Sequence, residues 1–383
     1  MFNVIRDLQN LGHEVHVASF ADKSEVKAGR ELEAYCASLT VVARPRFWLA
    51  RALLGEPPAT LAHYFSDEMS RTLQRTAKAK MIEIVELESL HMAVYGRWLE
   101  SYPRVFRPQN VEHLIWERYA ATGQITGLRA LWRIQAARIR QYEARAVAGF
   151  VDSTLAVSEA DRAVLSAMAP RARVDFLPMG VDTDQFTPAV ATPVTPWSMV
   201  LTGSFDWAPK RRNLAVLIDE LLPLIRRRIP AARLSIVGKG LAGRFLSDVR
   251  TREGVEYVGP VADVRPYIAR SSVVLNYVES GSGIAIKVLE AMAMGKAVVT
   301  NPLGAEGIAA ISGRHLLVAS TKTEFADSVA AVMSDQALAH RMGESARSLV
   351  VSKYSSAALT RELTKYFHIV AGLRVARHEV GSN

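Results

Sequence analysis

Apolar residues open the chain at helical spacing. Phe2, Ile5, Leu8 and Leu11 recur every three residues, Gly12 stops the run, and residues 14–20 then alternate as a strand does. The same exchange of helical and extended patterns continues. Short strands are predicted at 39–43, 81–86 and 153–157, and helices at 60–79 and 89–100. Val105 and Phe106 lead into a loop at Arg107, Pro108, Gln109 and Asn110. A long helix is predicted over 128–147, where Leu131, Ile134, Ala137, Ile139 and Tyr142 alternate with Arg129, Arg133, Arg138, Arg140 and Arg145. Ser158 should cap the next helix, with Asp161 at the position that closes a capping box.

The proline-rich stretch 187–197 reads as a linker, and beyond it the pattern restarts. Strands are predicted at 199–202, 233–237, 255–258, 273–277, 297–300 and 316–318, with helices between them and a last long helix at about 355–372. Such alternation implies parallel sheets covered on both faces. The expected architecture is α/β: two doubly wound parallel-sheet domains facing a cleft. The first domain takes 1–186, the linker 187–197, the second domain 198–352, and residues 353–383 form a helix crossing back to the first domain. The chain opens on a helix, so the first strand of the N-terminal domain, with its turn, is missing from the pattern.

Composition narrows the classes. A length of 383 residues suits two domains, and 22% charged residues with no low-complexity tract argue against long disorder. Cys36 is the one cysteine, so neither a disulfide framework nor a thiolate metal cluster is expected. The start lacks the basic-then-apolar form of a signal peptide, and no run approaches the roughly 18 apolar residues of a membrane span. The expected location is cytoplasmic, with a peripheral place on the inner membrane face as the variant. A net charge of +9 attracts anions, whether nucleotide phosphates, lipid headgroups or nucleic acid. The basic residues are scattered, which speaks against nucleic acid. The basic helix reads either as lying on anionic membrane or as packing its apolar face on the first domain.

The clearest candidate chemistry follows the strand predicted at 273–277. Gly281, Ser282 and Gly283 form a glycine-rich turn that lets the backbone approach a ligand, and the helix behind it offers unpaired N–H groups at its positive end, suited to a diphosphate. Lys287 lies one turn into that helix, and Glu290 three residues on, on the same face. A carboxylate there accepts two hydrogen bonds from a ribose diol. Read on spacing alone, a plain strand-turn-helix with a Lys–Glu surface pair fits as well.

The run Gly281-Ser-Gly-Ile-Ala-Ile-Lys-Val-Leu-Glu290, continued through Gly295 to Thr300, resembles the donor-site signature of the family-four retaining glycosyltransferases of group 1, which have the GT-B fold. Phe176-Leu-Pro-Met-Gly-Val-Asp182 resembles the hinge motif of that family, and Leu201-Thr-Gly-Ser-Phe-Asp-Trp207 its first donor-domain strand and loop. Arg233 to Gly240 and Val258 to Asp263 are similar to the next landmarks, and Arg107 to His113 with Trp116 and Arg118 to an acceptor-side segment. The resemblance implies two Rossmann-like domains and a hexosyltransferase. The enzyme would move a sugar from a nucleotide-diphosphate sugar to a saccharide or lipid-linked acceptor, in surface or exopolysaccharide biosynthesis, without a metal or other cofactor. Glu290 would hold the ribose. Gly281, Ser282, Gly283 and Lys287 would meet the diphosphate, with Gly203, Lys210 and Arg211 opposite, and Gly259 and Val261 would border the base.

The chain departs from the family pattern at three places. Ser282 stands where many members carry a second glutamate, with Glu279 three residues earlier as a substitute. Ser204 and Pro209 occupy the usual Arg and Lys offsets, displacing Lys210 by one. Gln109 stands where some members have histidine, leaving Asn110, Glu112 and His113 as candidates to polarise the donor sugar, with His113 read as an ordinary helix residue. Two other readings compete. Without its first strand the chain could bind nucleotide and lack turnover. Alternatively, Gly238-Lys-Gly240-Leu-Ala-Gly243 after a strand, followed by Glu256, matches a dinucleotide fingerprint and an oxidoreductase.

Overall fold

A computed structural model describes residues 2–21, 32–45, 58–121, 129–189 and 192–381. The chain divides into two units: Met1–Pro178 with Ser356–Asn383, and Met179–Ser355. The change of unit therefore falls at Pro178, ahead of the proline-rich stretch expected to be the linker. That stretch belongs to the second unit, where the Thr195 N–H donates to the Arg270 carbonyl at 2.8 Å; residues 190 and 191 lie outside the described residues.

In the first unit α1 (Phe2–Asn10) buries Ile5 and Leu8 and leads into β1 (His16–Phe20), which pairs in parallel with β2 (Ser38–Val42). A separate parallel sheet runs β3 (Val85–Glu88), β4 (Arg104–Arg107), β5 (Ser153–Ala156), β6 (Val174–Phe176). Helix α2 (Asp67–Ala79) precedes β3 and is capped by Ser66. The strand expected at 81–86 starts four residues late. Met81 sits at φ +48°, and the Ile82 N–H donates back to the Ala77 carbonyl at 3.0 Å, so those residues close α2 instead. The helix expected at 89–100 is two short pieces, Leu90–Ala93 and the 3₁₀ turn Val94–Trp98.

Helix α3 (Glu112–Ala121) and α4 (Arg129–Arg145) lie together, with Trp116 stacked on Trp132 at 5.0 Å. The basic helix thus packs Ala136, Ile139, Tyr142 and Glu143 inward while Leu131 and Ile134 stay exposed; residue 128, its expected start, lies outside the described residues. Helix α5 (Glu159–Met168) begins at Ser158, whose hydroxyl accepts from the Asp161 N–H at 2.9 Å. The C-terminal helix (Ser356–Gly381) returns to this unit. Its Leu363 and Val370 join Val105 and Leu155 in one core, and the Ser356 hydroxyl donates to Asp7 Oδ2 at 2.6 Å.

The second unit runs β7 (Ser198–Thr202), α6 (Ala208–Val216), α7 (Leu222–Arg228), β8 (Arg233–Val237), α8 (Gly243–Arg250), β9 (Val255–Gly259), α9 (Arg265–Arg270), β10 (Val273–Asn276), α10 (Ile286–Ala293), β11 (Val298–Thr300), β12 (Leu317–Val318), α11 (Lys322–Ser334) and α12 (Gln336–Lys353). Its six parallel strands lie in the order β12-β11-β10-β7-β8-β9. Period-two alternation builds two cores. Met199, Leu201, Leu234 and Ile236 face α6, α7 and α11, while Val200, Val237, Val274 and Val298 face α10 and α12. The strand order reverses between β7 and β10, and ligands of such sheets bind beyond the strand ends at that reversal.

Candidate functional site

Two loops leave the sheet at this reversal: the one after β7, starting at Gly203, and the one after β10, residues 277–285. Gly283 has φ +77°, a left-handed conformation that a side chain would strain. Helix α10 begins at Ile286, and no side chain caps its N-terminus. Its first turn therefore presents backbone N–H groups and the positive dipole end toward the loop.

Lys287 sits in that first turn. Its Nζ lies 4.0 Å from where a Cβ on Gly203 would stand, so the ammonium reaches across to the β7 loop. Burial, then repulsion from Lys210, pushes Lys287 down to about 8, opposed by Glu290. Glu290, one turn on, is raised by burial and partly restored by Lys287. The fold thus brings Gly203, Lys210, Lys287 and Glu290 together. Two cations and a helix N-terminus suit a diphosphate, and the half-buried carboxylate suits a diol.

The loop after β10 is clamped from both flanks. The Arg212 Nε donates to Glu279 Oε2 at 3.0 Å, Asn213 Oδ1 accepts from the Glu279 N–H at 2.9 Å, and Asn301 Nδ2 donates to the Val278 carbonyl at 2.7 Å. Glu279 therefore faces α6, paired with Arg212. Gly281 and Ser282 lie between this clamp and Gly283, half-buried. Arg212, Asn213 and Asn301 escaped the sequence reading, since each acts through space on a loop more than 20 residues away. The run Lys210-Arg-Arg-Asn213 is a local signal for a basic loop, but it does not single out Arg212 and Asn213 from their neighbours. Arg211 itself donates to the Phe205 and Asp206 carbonyls at 3.2 and 2.8 Å, bracing the β7 loop rather than extending its guanidinium beyond it.

The glycines after β8 serve that same loop. A Cβ on Gly238 would stand 1.6 Å from the Gly203 carbonyl oxygen, and one on Gly240 2.3 Å from the Asp206 nitrogen. Backbone already fills the space that a dinucleotide fingerprint keeps for a pyrophosphate, and the motif follows the second strand of its sheet. The oxidoreductase reading fails on that packing. Gly238→Ala, at φ +145°, should cost more than about 2 kcal/mol, read as a lowered denaturant midpoint. The Gly238 N–H donates to the Gly259 carbonyl at 2.8 Å, so Gly203, Gly238 and Gly259 stand in a row at the C-terminal ends of β7, β8 and β9. Val261, just past Gly259, packs on the core that holds Val237 and Ile268.

The remaining candidates belong to the first unit. Asn110 is half-buried in the loop after β4, where the neighbouring Gln109 Nε2 donates to Glu88 Oε2 at 3.3 Å. Glu112 opens α3. Burial, then the nearby Glu143, pushes its carboxyl up to about 7. His113 is buried and bonded to Glu143 Oε2 at 2.6 Å, while Glu143 Oε1 accepts from the Glu112 N–H at 2.9 Å. His113 thus ties α3 to α4. Among the described residues no three His, Cys, Asp or Glu side chains converge to hold a metal ion, and no helix is long and apolar enough to cross a membrane.

The profile of Glycosyltransferase Family 4 matches residues 1–185, and that of Glycosyl transferases group 1 matches residues 197–335. The chain belongs to the group 1, family-four glycosyltransferases. Phosphatidyl-myo-inositol mannosyltransferase from Mycobacterium tuberculosis is 28% identical to this glycosyltransferase over 215 residues, 51% of this chain and 54% of that protein, and the Mycobacterium bovis protein of the same name matches equally. The chain thus spans about half the length of the curated relatives it matches. Among solved structures, HepE of Anabaena in complex with UDP and glucose superposes with a TM-score of 0.70 at 13% identity, covering 96% of this chain and 95% of that one. Sucrose-phosphate synthase of Thermosynechococcus elongatus gives 0.70 at 14%, covering 97% and 92%. This likeness shows the fold, GT-B, with two parallel α/β units.

Proposed function

We propose that this glycosyltransferase is a retaining hexosyltransferase. It moves a hexose from a nucleotide-diphosphate sugar to a saccharide or lipid-linked acceptor, without a metal, in the building of a surface or exported polysaccharide. The observation that carries the reading is the meeting of Lys287, Lys210, Glu290 and the Gly203 loop beyond β7 and β10. As the sugar–phosphate bond breaks, negative charge grows on the leaving diphosphate. Fixed cations and the uncapped end of α10 stabilise that charge without reorganising. Glu290 selects a ribose by accepting from both hydroxyls. HepE, crystallised with UDP-glucose, and the mannosyltransferase relatives support a nucleotide-sugar donor.

Titration with a nucleoside diphosphate tests this. The ligand is an anion, so it binds best while Lys287 is protonated. Lys287 stands at about 8, so its charge is full below that value and is lost as pH rises through it. Affinity should fall by up to about tenfold between pH 7 and pH 9. Calorimetry in buffers of different ionisation enthalpy should show proton uptake on binding near pH 8, as the diphosphate restores the ammonium. Absent binding, or an affinity level across that range, would overturn the donor site.

A further inference from the structure

We propose, on the basis of the donor site read above, that Glu220 and Lys322 are positioning residues which act through Arg212 on the loop after β10. Four charges of alternating sign lead to that loop. Lys322, the first residue of α11, donates from its Nζ to Glu220 Oε2. Glu220, in the turn Leu217–Leu221 that follows α6, turns its Oε1 to Arg212 Nη2 at 4.0 Å. Arg212 Nε in turn donates to Glu279 Oε2 at 3.0 Å. Tyr277 stands among all four. Burial and then Glu279 push its hydroxyl up, Glu220 adds to that, and Lys322 and Arg212 oppose it. Its ring packs edge-on against Phe325 at 5.6 Å, so the first residue of the loop is anchored to the same helix that carries Lys322.

The loop needs such anchors. Gly281 and Gly283 lack the Cβ that restricts a backbone, and a turn that must order itself around a diphosphate loses affinity to that ordering. Helix α6 supplies the hold twice. Arg212 takes the Glu279 carboxylate, while Asn213 accepts from the Glu279 N–H at 2.9 Å and donates to the Ser280 carbonyl at 3.5 Å. The same helix carries Lys210, whose charge acts on Lys287. A shift of α6 therefore moves a cation of the site and the glycine turn together. An arginine with one carboxylate partner can still swing about that bond, and a second carboxylate at Nη2 fixes its plane. The Arg212 and Glu279 side chains are only 18% and 19% exposed, so little solvent screens their pairing. Glu220 and Lys322, at 40% and 39%, stand nearer to water and brace the pair from outside.

Calorimetry on the full chain tests this, with whichever of UDP, GDP and ADP the parent binds most tightly. Glu220→Gln should weaken that binding roughly fivefold, a coupling usual for neighbours in one charge network, with Tm within about 2 °C of the parent. Lys322→Met, one step further out, should weaken it by about twofold. In a chain that already carries Arg212→Met, Glu220→Gln should cost nothing more, because its effect passes through Arg212. Exchanging the outer pair, Glu220→Lys with Lys322→Glu, keeps that ion pair but sets a cation against Arg212. The exchange should recover Tm and leave binding as weak as in Glu220→Gln. Binding at the parent level in Glu220→Gln, an undiminished further loss on the Arg212→Met background, or full recovery of binding by the exchange would overturn the proposal. A parent chain that binds none of the three diphosphates would instead remove the donor site itself, and the brace with it.

Discussion

Replacing Lys287 by methionine should lower the rate of sugar transfer by about 10²–10³-fold while weakening donor binding much less, because its charge matters most when the diphosphate departs. The geometry behind this is the ammonium beside Gly203, held by a helix that starts one residue earlier. Steady-state kcat, with product counted directly, checks it, and an unchanged kcat would remove Lys287 from the chemistry. A second readout separates this from mere unfolding. Burial pushes Lys287 down to about 8, so its charged form costs stability at every pH below that, and the cost is relieved only as pH rises from 8 towards the unfolded value. The methionine variant should therefore melt at the same temperature as the parent, or higher, at pH 7 while losing activity.

Glu290→Ala should weaken nucleotide-sugar binding by roughly 10–100-fold, the loss expected for charge-assisted hydrogen bonds of about 1.5–3 kcal/mol to a diol. The carboxylate is half-buried and raised by that burial, so removing it takes away a desolvated charge rather than a packing contact. The fold should survive, with Tm held or raised. Glu290→Gln should recover part of the affinity, since the amide still accepts one bond. A 2′-deoxy nucleotide should lose affinity for the parent and lose little for Glu290→Ala. Equal losses for both proteins would take Glu290 away from the ribose.

How much of this was legible in the chain depends on distance along it. The strands of the second unit stand within a residue or two of their expected places, because period-two apolar runs between glycine and proline stops are local signals. Lys287 and Glu290 could be paired on spacing because one helix holds both. The approach of Lys287 to Gly203, the hold of Arg212 on Glu279 and the use of Gly238 against Gly203 could not. Each joins loops that meet only because β7 lies between β10 and β8, an order that the chain does not spell out locally. Met81 misled for a related reason. An apolar residue reads as strand, yet here its φ of +48° closes α2 and leaves it 84% exposed.

The sequence by itself determined the α/β class and the glycine turn that sets Lys287 and Glu290 on one helix face, both of them patterns that lie within a few residues. Only the tertiary structure decided where the chain changes unit, which arginine braces a loop and which one pairs Glu279. The physical reason is the same throughout. Hydrophobic period and turn chemistry act between neighbours in sequence, while clamps and close glycine contacts exist only once strand order has set distant residues side by side.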